Sequence, residues 1–241
     1  MTHINRSSIL TIAACLGLSM LAGCDKIGIG NAPRTTIALI DRSGSISPDD
    51  LGLYRESLRI AGTDLNSGDR FLVANIGDST RSEFRPAFDL QVPDSDKRIE
   101  REKAVKAAHA RVDAALPALL SGQELTPSSA TRILDAIAAA SQAFGPGPRK
   151  GSRLLLLSDG VEESAVANLA KITDVGEVAR DIERARKAGL LPDLRGIEIS
   201  VIGAGGANYP AVKAFWVAYA VATGAKLTNY GRLPFRLEPQ S

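Results

Sequence analysis

Two cysteines, two histidines and a single tryptophan are all that the 241 residues contain of those types, and aromatic residues make up only 5%. Charge of one sign is missing as well: 29 basic against 27 acidic side chains leave a formal net charge of +2. That balance gives no footprint for nucleic acid or for general adhesion to anionic membranes. No internal repeat and no low-complexity tract occurs. No Ser-His-Asp set or phosphate-binding loop is present, and "GAGGAN", Gly203–Asn208, is glycine-rich without the spacing of a dinucleotide site. What remains is ordinary globular material, 44% hydrophobic and 23% charged. It is long enough for one large domain or two small ones and for a core of useful size.

The first residues differ from the rest. "MTHINRSS" carries Arg6 and no acid, and Ile9–Ala22 is apolar or small. That run is too short to span a bilayer comfortably and fits the apolar region of a secretory signal. "LAGC", Leu21–Cys24, resembles the bacterial lipoprotein box. The resemblance implies a signal peptide over 1–23 and acylation of Cys24 as the new N-terminus, which would anchor the chain in a lipid bilayer. Asp25 after that cysteine resembles the signal that, in enteric bacteria, retains lipoproteins at the periplasmic face of the inner membrane. Cys15 leaves with the signal, so the mature chain has no thiol available for a disulfide or a zinc set. Residues 24–33 read as anchor and short linker, and 34–241 as one domain.

Within 34–241, apolar runs alternate with helical patterns. Thr36–Ile40, "RFLVANIG", "RLLLLSDG" and "IEISVIGAGG" read as buried strands, and "AKLTNY" as a last one. "SEFRPAFDLQV" reads as a third strand, placed at an edge by Pro86. Ser47 is a good helix cap, Pro48 suits the first helical turn, and Leu51, Tyr54, Leu58, Ala61 and Leu65 recur at helical spacing. Further helices are expected over 96–116, 129–144, along "GEVARDIERARKAG" and over 212–222. His109 lies on the first of these and is assigned no role. The alternation predicts an α/β fold, a doubly wound and mostly parallel sheet flanked by helices on both faces. In such sheets ligands bind beyond the carboxyl ends of the strands, and two strands end there in aspartate, Asp41 and Asp159.

A strand ending "DRSGS" can turn a carboxylate and two hydroxyls, Asp41, Ser43 and Ser45, toward one point, with Gly44 allowing a tight bend. Hard oxygen donors of this kind suit Mg²⁺ or Mn²⁺. Together with the later "LLLLSDG", the motif resembles the von Willebrand factor type A (VWA) domain and its metal-ion-dependent adhesion site. The resemblance implies a Rossmann-like fold over 34–241 and a Mg²⁺ (or Mn²⁺) site at Asp41, Ser43, Ser45, Thr131 and Asp159. Thr131 comes from aligning "ATRILDAIAAA" with the family's threonine-led helix, and Thr126 and Ser129 are alternatives. It also implies a non-enzymatic binding module, whose ion takes up an Asp or Glu from a protein partner. The alternatives are a Mg²⁺-dependent hydrolase or phosphatase-like enzyme, and a structural VWA domain assembled with a membrane complex or an ATPase. The enzyme reading lacks the second carboxylate that phosphoryl-transfer sites place two residues after the first, where this chain has Ser43.

Overall fold

A computed structural model describes residues 32–43, 46–77, 83–121, 131–146, 149–172, 174–206 and 208–237. All of them belong to one unit, Ala32–Ser241. The leader, Cys24, Asp25, Gly44, Ser45, Thr126 and Ser129 lie outside the described residues. Among the described residues, no helix is long and apolar enough to cross a membrane.

The strands are β1 (Thr35–Ile40), β2 (Arg70–Asn75), β3 (Phe88–Gln91), β4 (Ser152–Leu157), β5 (Ile197–Ile202) and β6 (Lys226–Gly231). They form one six-stranded sheet in the order β3-β2-β1-β4-β5-β6. Every neighbouring pair is parallel except β2–β3. The helices are α1 (Pro48–Thr63), α2 (Arg98–Leu120), α3 (Ile133–Ala140), α4 (Val178–Lys187) and α5 (Tyr209–Thr223). Side-chain alternation along each strand feeds two cores. Ile37, Leu39, Leu154, Leu156, Ile199 and Val201 pack with α3, α4 and α5. Ala38, Ile40, Phe71, Val73, Leu155 and Leu157 pack with α1 and α2 on the opposite face. Burial on both faces is why these strands read as continuous apolar runs rather than alternating ones.

The expected α/β sheet is therefore present, with four adjustments, of which one is that α3 is helical only over Ile133–Ala140 and closes in a 3-10 turn, Ser141–Phe144. The third strand is only four residues long and runs antiparallel. The second helix starts at Arg98 rather than Asp96 and continues past Leu116. Pro117 removes one helical hydrogen bond, but burial of Leu119 and Leu120 holds the last turn. The last helix starts at Tyr209 instead of Val212, with Pro210 in its first turn. α1 begins as its sequence indicates: Ser47 Oγ accepts the Asp50 N–H (3.2 Å) while Asp50 Oδ2 accepts the Ser47 N–H (3.1 Å). Beyond β6 the chain returns across α1. Phe235 is buried there, and its N–H donates to Ser57 Oγ at 2.9 Å.

The strand order reverses between β1 and β4. The chain runs outward from β1 to β2 and β3, then crosses back to β4 on the other side. Asp41 and Asp159 follow the carboxyl ends of those two adjacent strands. This switch point is where open parallel sheets leave a crevice.

Candidate metal centre

Asp41 extends the β1–β4 ladder by one hydrogen bond, its N–H donating to Leu157 O at 2.8 Å. Its carboxylate is buried. Oδ1 accepts the Ser43 N–H at 2.8 Å, which curls the exit loop around it. Oδ2 accepts the Ser158 hydroxyl at 2.9 Å, and the same hydroxyl lies 3.4 Å from Asp159 Oδ1. One serine side chain thus stands between the two strand-end carboxylates. Asp159 Oδ1 also accepts the Val161 N–H at 2.8 Å, so the β4 exit loop curls around its own acid as the β1 loop does.

The walls are rigid. Ser158 N–H donates to Ile202 O (3.0 Å), and the buried Trp216 indole N–H donates to Gly160 O (2.8 Å). Gly203 has φ +109°, and a Cβ there would stand 3.0 Å from both Ser158 O and the Tyr54 hydroxyl. Only glycine satisfies that backbone angle and that approach. Arg42, between Asp41 and Ser43, donates to Asn75 Oδ1 at 2.6 Å and to the carbonyls of Leu119 and Ser121. A cation thereby meets the negative end of α2 and ties that helix to the first loop.

Thr131 is buried and precedes α3. Its carbonyl accepts the Glu163 N–H at 2.8 Å, which fastens the third loop to the β4 exit loop. Asp41 and Asp159 therefore meet at Ser158, Ser43 is tied to Asp41 through its backbone N–H, and Thr131 is joined to the loop that carries Asp159. Ser45, Thr126 and Ser129 lie outside the described residues.

The two strand-end carboxylates lie close enough for the charge of one to act on the other. Burial and then the nearby Asp41 charge hold the Asp159 carboxyl above the usual carboxylate range. Tyr54 is fully buried, and its hydroxyl has no hydrogen-bond partner among the described residues. Burial, followed by the charges of Asp41, Asp50 and Asp159, pushes that hydroxyl's pKa far up. Like charges sharing one buried hydroxyl favour either a proton or a cation between them. The donors gathered here are oxygens, which fits a hard divalent ion. Among the described residues no group of three or more His, Cys, Asp or Glu is placed to hold a metal. An ion here would depend on hydroxyls and water besides the two carboxylates.

Four residues of this centre were not read from the sequence as part of it: Ser158, Tyr54, Trp216 and Glu162, whose buried carboxylate accepts the Leu134 N–H at the start of α3. Ser158 had a signal, its position beside the strand-end aspartate. Tyr54 and Trp216 read as ordinary helix-stripe residues, which they also are. Glu162 had none, because "VEES" does not distinguish its two glutamates.

No family model matches the chain, and no curated protein matches it. Solved structures do resemble it. The PilB minor pilin from Streptococcus sanguinis is similar at 12% identity and TM-score 0.45, over 84% of this chain and 58% of the pilin chain. An aerotolerance-related membrane protein from Bacteroides fragilis is similar at 16% identity and TM-score 0.38, over 85% of this chain and 92% of that one. A von Willebrand factor type A protein from Catenulispora acidiphila is similar at 17% identity and TM-score 0.35, over 80% of this chain and 43% of that one. The chain thus spans little more than half of the pilin and less than half of the Catenulispora protein. At such scores and identities the likeness supports no statement about function.

Proposed function

We propose that this chain is a VWA-type binding module that takes up a divalent cation at Asp41, Ser43, Ser45, Thr131 and Asp159 and uses it to bind a protein partner reversibly. One observation carries the reading: the Ser158 hydroxyl stands between the carboxylates of Asp41 and Asp159, at 2.9 and 3.4 Å. Their sequence separation makes that meeting a property of the fold rather than of a local turn.

Each group has a task. Asp41 and Asp159 supply the negative charge that attracts a cation into a partly desolvated cleft. Ser158 and the loop N–H groups fix the carboxylate orientations, so little ordering is left for binding. The serine and threonine hydroxyls add donors without adding charge. Two protein carboxylates neutralise a divalent ion and do not overcharge it. Mg²⁺, which keeps several waters when bound, would be held here by the two carboxylates and the hydroxyls, and would supply a position that an Asp or Glu carboxylate of a partner could take. No step requires a general base or a nucleophile, so the module is read as non-enzymatic.

Calorimetric titration of the full mature chain with Mn²⁺ and with Mg²⁺ tests the site. Saturable binding, reversed by EDTA and lost in Asp41→Ala, is the expected result. Heats that are unchanged in Asp41→Ala would sink the metal reading. Anchoring through acylated Cys24, at the periplasmic face of the inner membrane as Asp25 implies, rests on the leader sequence alone. Mass spectrometry of the mature N-terminus checks it: acyl mass on Cys24 is expected, and an unmodified cysteine or an uncleaved leader ends that part.

A further inference from the structure

We infer that Glu162 is the positioning residue that locks the Thr131 loop to the Asp159 loop, and that the cation affinity of the centre depends on it. The inference rests on the metal reading above. Glu162 is fully buried, three residues beyond Asp159. Its Oε2 accepts the Leu134 N–H at 3.0 Å, in the first turn of α3. That turn has no cap of its own: Arg132 sits at the N-cap position and makes no side-chain cap hydrogen bond. A carboxylate from a distant loop therefore does what a local Ser or Asp usually does, meeting both the free N–H groups and the positive end of the helix.

The backbone on either side completes the lock. The Glu163 N–H donates to Thr131 O at 2.8 Å, and Glu162 O accepts the Leu169 N–H at 2.8 Å. Thr131 is thus held between a carbonyl bond to residue 163 and a helix start capped by residue 162. The groups around the carboxylate are few. Asp135 on α3 and Tyr219 on α5 are its titratable neighbours. Burial pushes the carboxyl's pKa up, the Ser164 hydroxyl and the Leu134 and Ile133 N–H groups oppose that shift, and among the described residues Oε1 completes no hydrogen bond. A carboxylate kept in so demanding a place is explained by what it holds: the start of α3 and the loop that brings a hydroxyl to the cation.

The test compares wild type, Glu162→Ala and Glu162→Gln as full mature chains, titrated with Mn²⁺ well below their unfolding temperatures. Asp69→Ala serves as a variant weakened at the opposite end of the sheet. Glu162→Ala should bind Mn²⁺ about 10–100-fold more weakly, the range typical when a group that orients a ligand is lost. Glu162→Gln, whose amide oxygen still accepts the Leu134 N–H, should stay near wild type, as should Asp69→Ala. In the metal-free chain, hydrogen exchange at the Leu134 amide should accelerate in the alanine variant and not in the glutamine variant. Folded Glu162→Ala with wild-type affinity, or Glu162→Gln as weak as alanine, would overturn the inference and leave the metal reading standing. Absence of Mn²⁺ binding by wild type would remove both.

Discussion

At the residue scale the informative positions are buried polar groups, because each needs a reason to be out of water. Asp41, Ser158 and Thr131 are such groups, and so is the Tyr54 hydroxyl. Glu162 carries a pH signature near neutrality: burial pushes its carboxyl up from 4.5 to about 7. Below about pH 4.5 the group is protonated in folded and unfolded chains alike. As pH rises toward 7, the unfolded chain gives up a proton that the folded chain keeps. The stabilising contribution is therefore complete at low pH and lost as pH rises through about 7. A shift of that size corresponds to roughly 3 kcal/mol. Glu162→Gln has no such titration. Its urea-unfolding stability should gain on wild type between pH 4.5 and pH 8, by at most ~3 kcal/mol. A difference that stays constant across that range would refute the assignment.

At the element scale, the two ends of the sheet are built for different purposes. The carboxyl ends carry the acids and hydroxyls described above. The amino ends carry a closed ionic cluster. Arg34 at the entry to β1 bonds Asp69 Oδ2 at 2.7 Å and Asp64 Oδ2 at 2.9 Å, while Asp69 Oδ1 accepts the Arg34 N–H at 2.8 Å. Arg153 of β4 joins the same Asp64 oxygen at 2.5 Å. The Arg34 and Asp69 side chains are 10% and 4% exposed, so removing Asp69 takes a buried partner from Arg34 and leaves it Asp64 alone. Asp69→Ala should lower stability by about 3–5 kcal/mol, as loss of one member of a buried pair does. For a domain of this size that is a fall in Tm on the order of 10 °C. Glu56→Ala breaks only the exposed Arg59–Glu56 pair and should leave Tm unmoved. Equal effects from the two variants would show that burial does not set their weight.

At the scale of the whole molecule, β1, β2, β4 and β5 were legible because burial on both faces of a parallel sheet makes apolar runs that little else produces. α1 was legible to its first residue, since Ser47, Pro48 and Asp50 form a local cap. The end of α2 was not: Pro117 argues locally for a stop, and only the burial of Leu119 and Leu120 overrides it. β3 is short and runs antiparallel at an edge, where pairing with one neighbour alone imposes a weak pattern. Among the candidate ligands, Asp41 and Ser43 share a loop, and the sequence alone brings them together. Asp159 required the strand order, because a connection crossing to the far side of β1 is what makes β4 its neighbour. Ser158 as the bridge and Glu162 as the cap were decided by tertiary structure only. Which of two adjacent glutamates is buried depends on a helix start nearly thirty residues earlier in the chain. The sequence by itself determined the elements, their alternation and the acidic strand ends, since these follow from local pattern and burial. The folded chain decided which acids meet and which loops are locked, because contacts between distant segments are set by topology rather than by spacing.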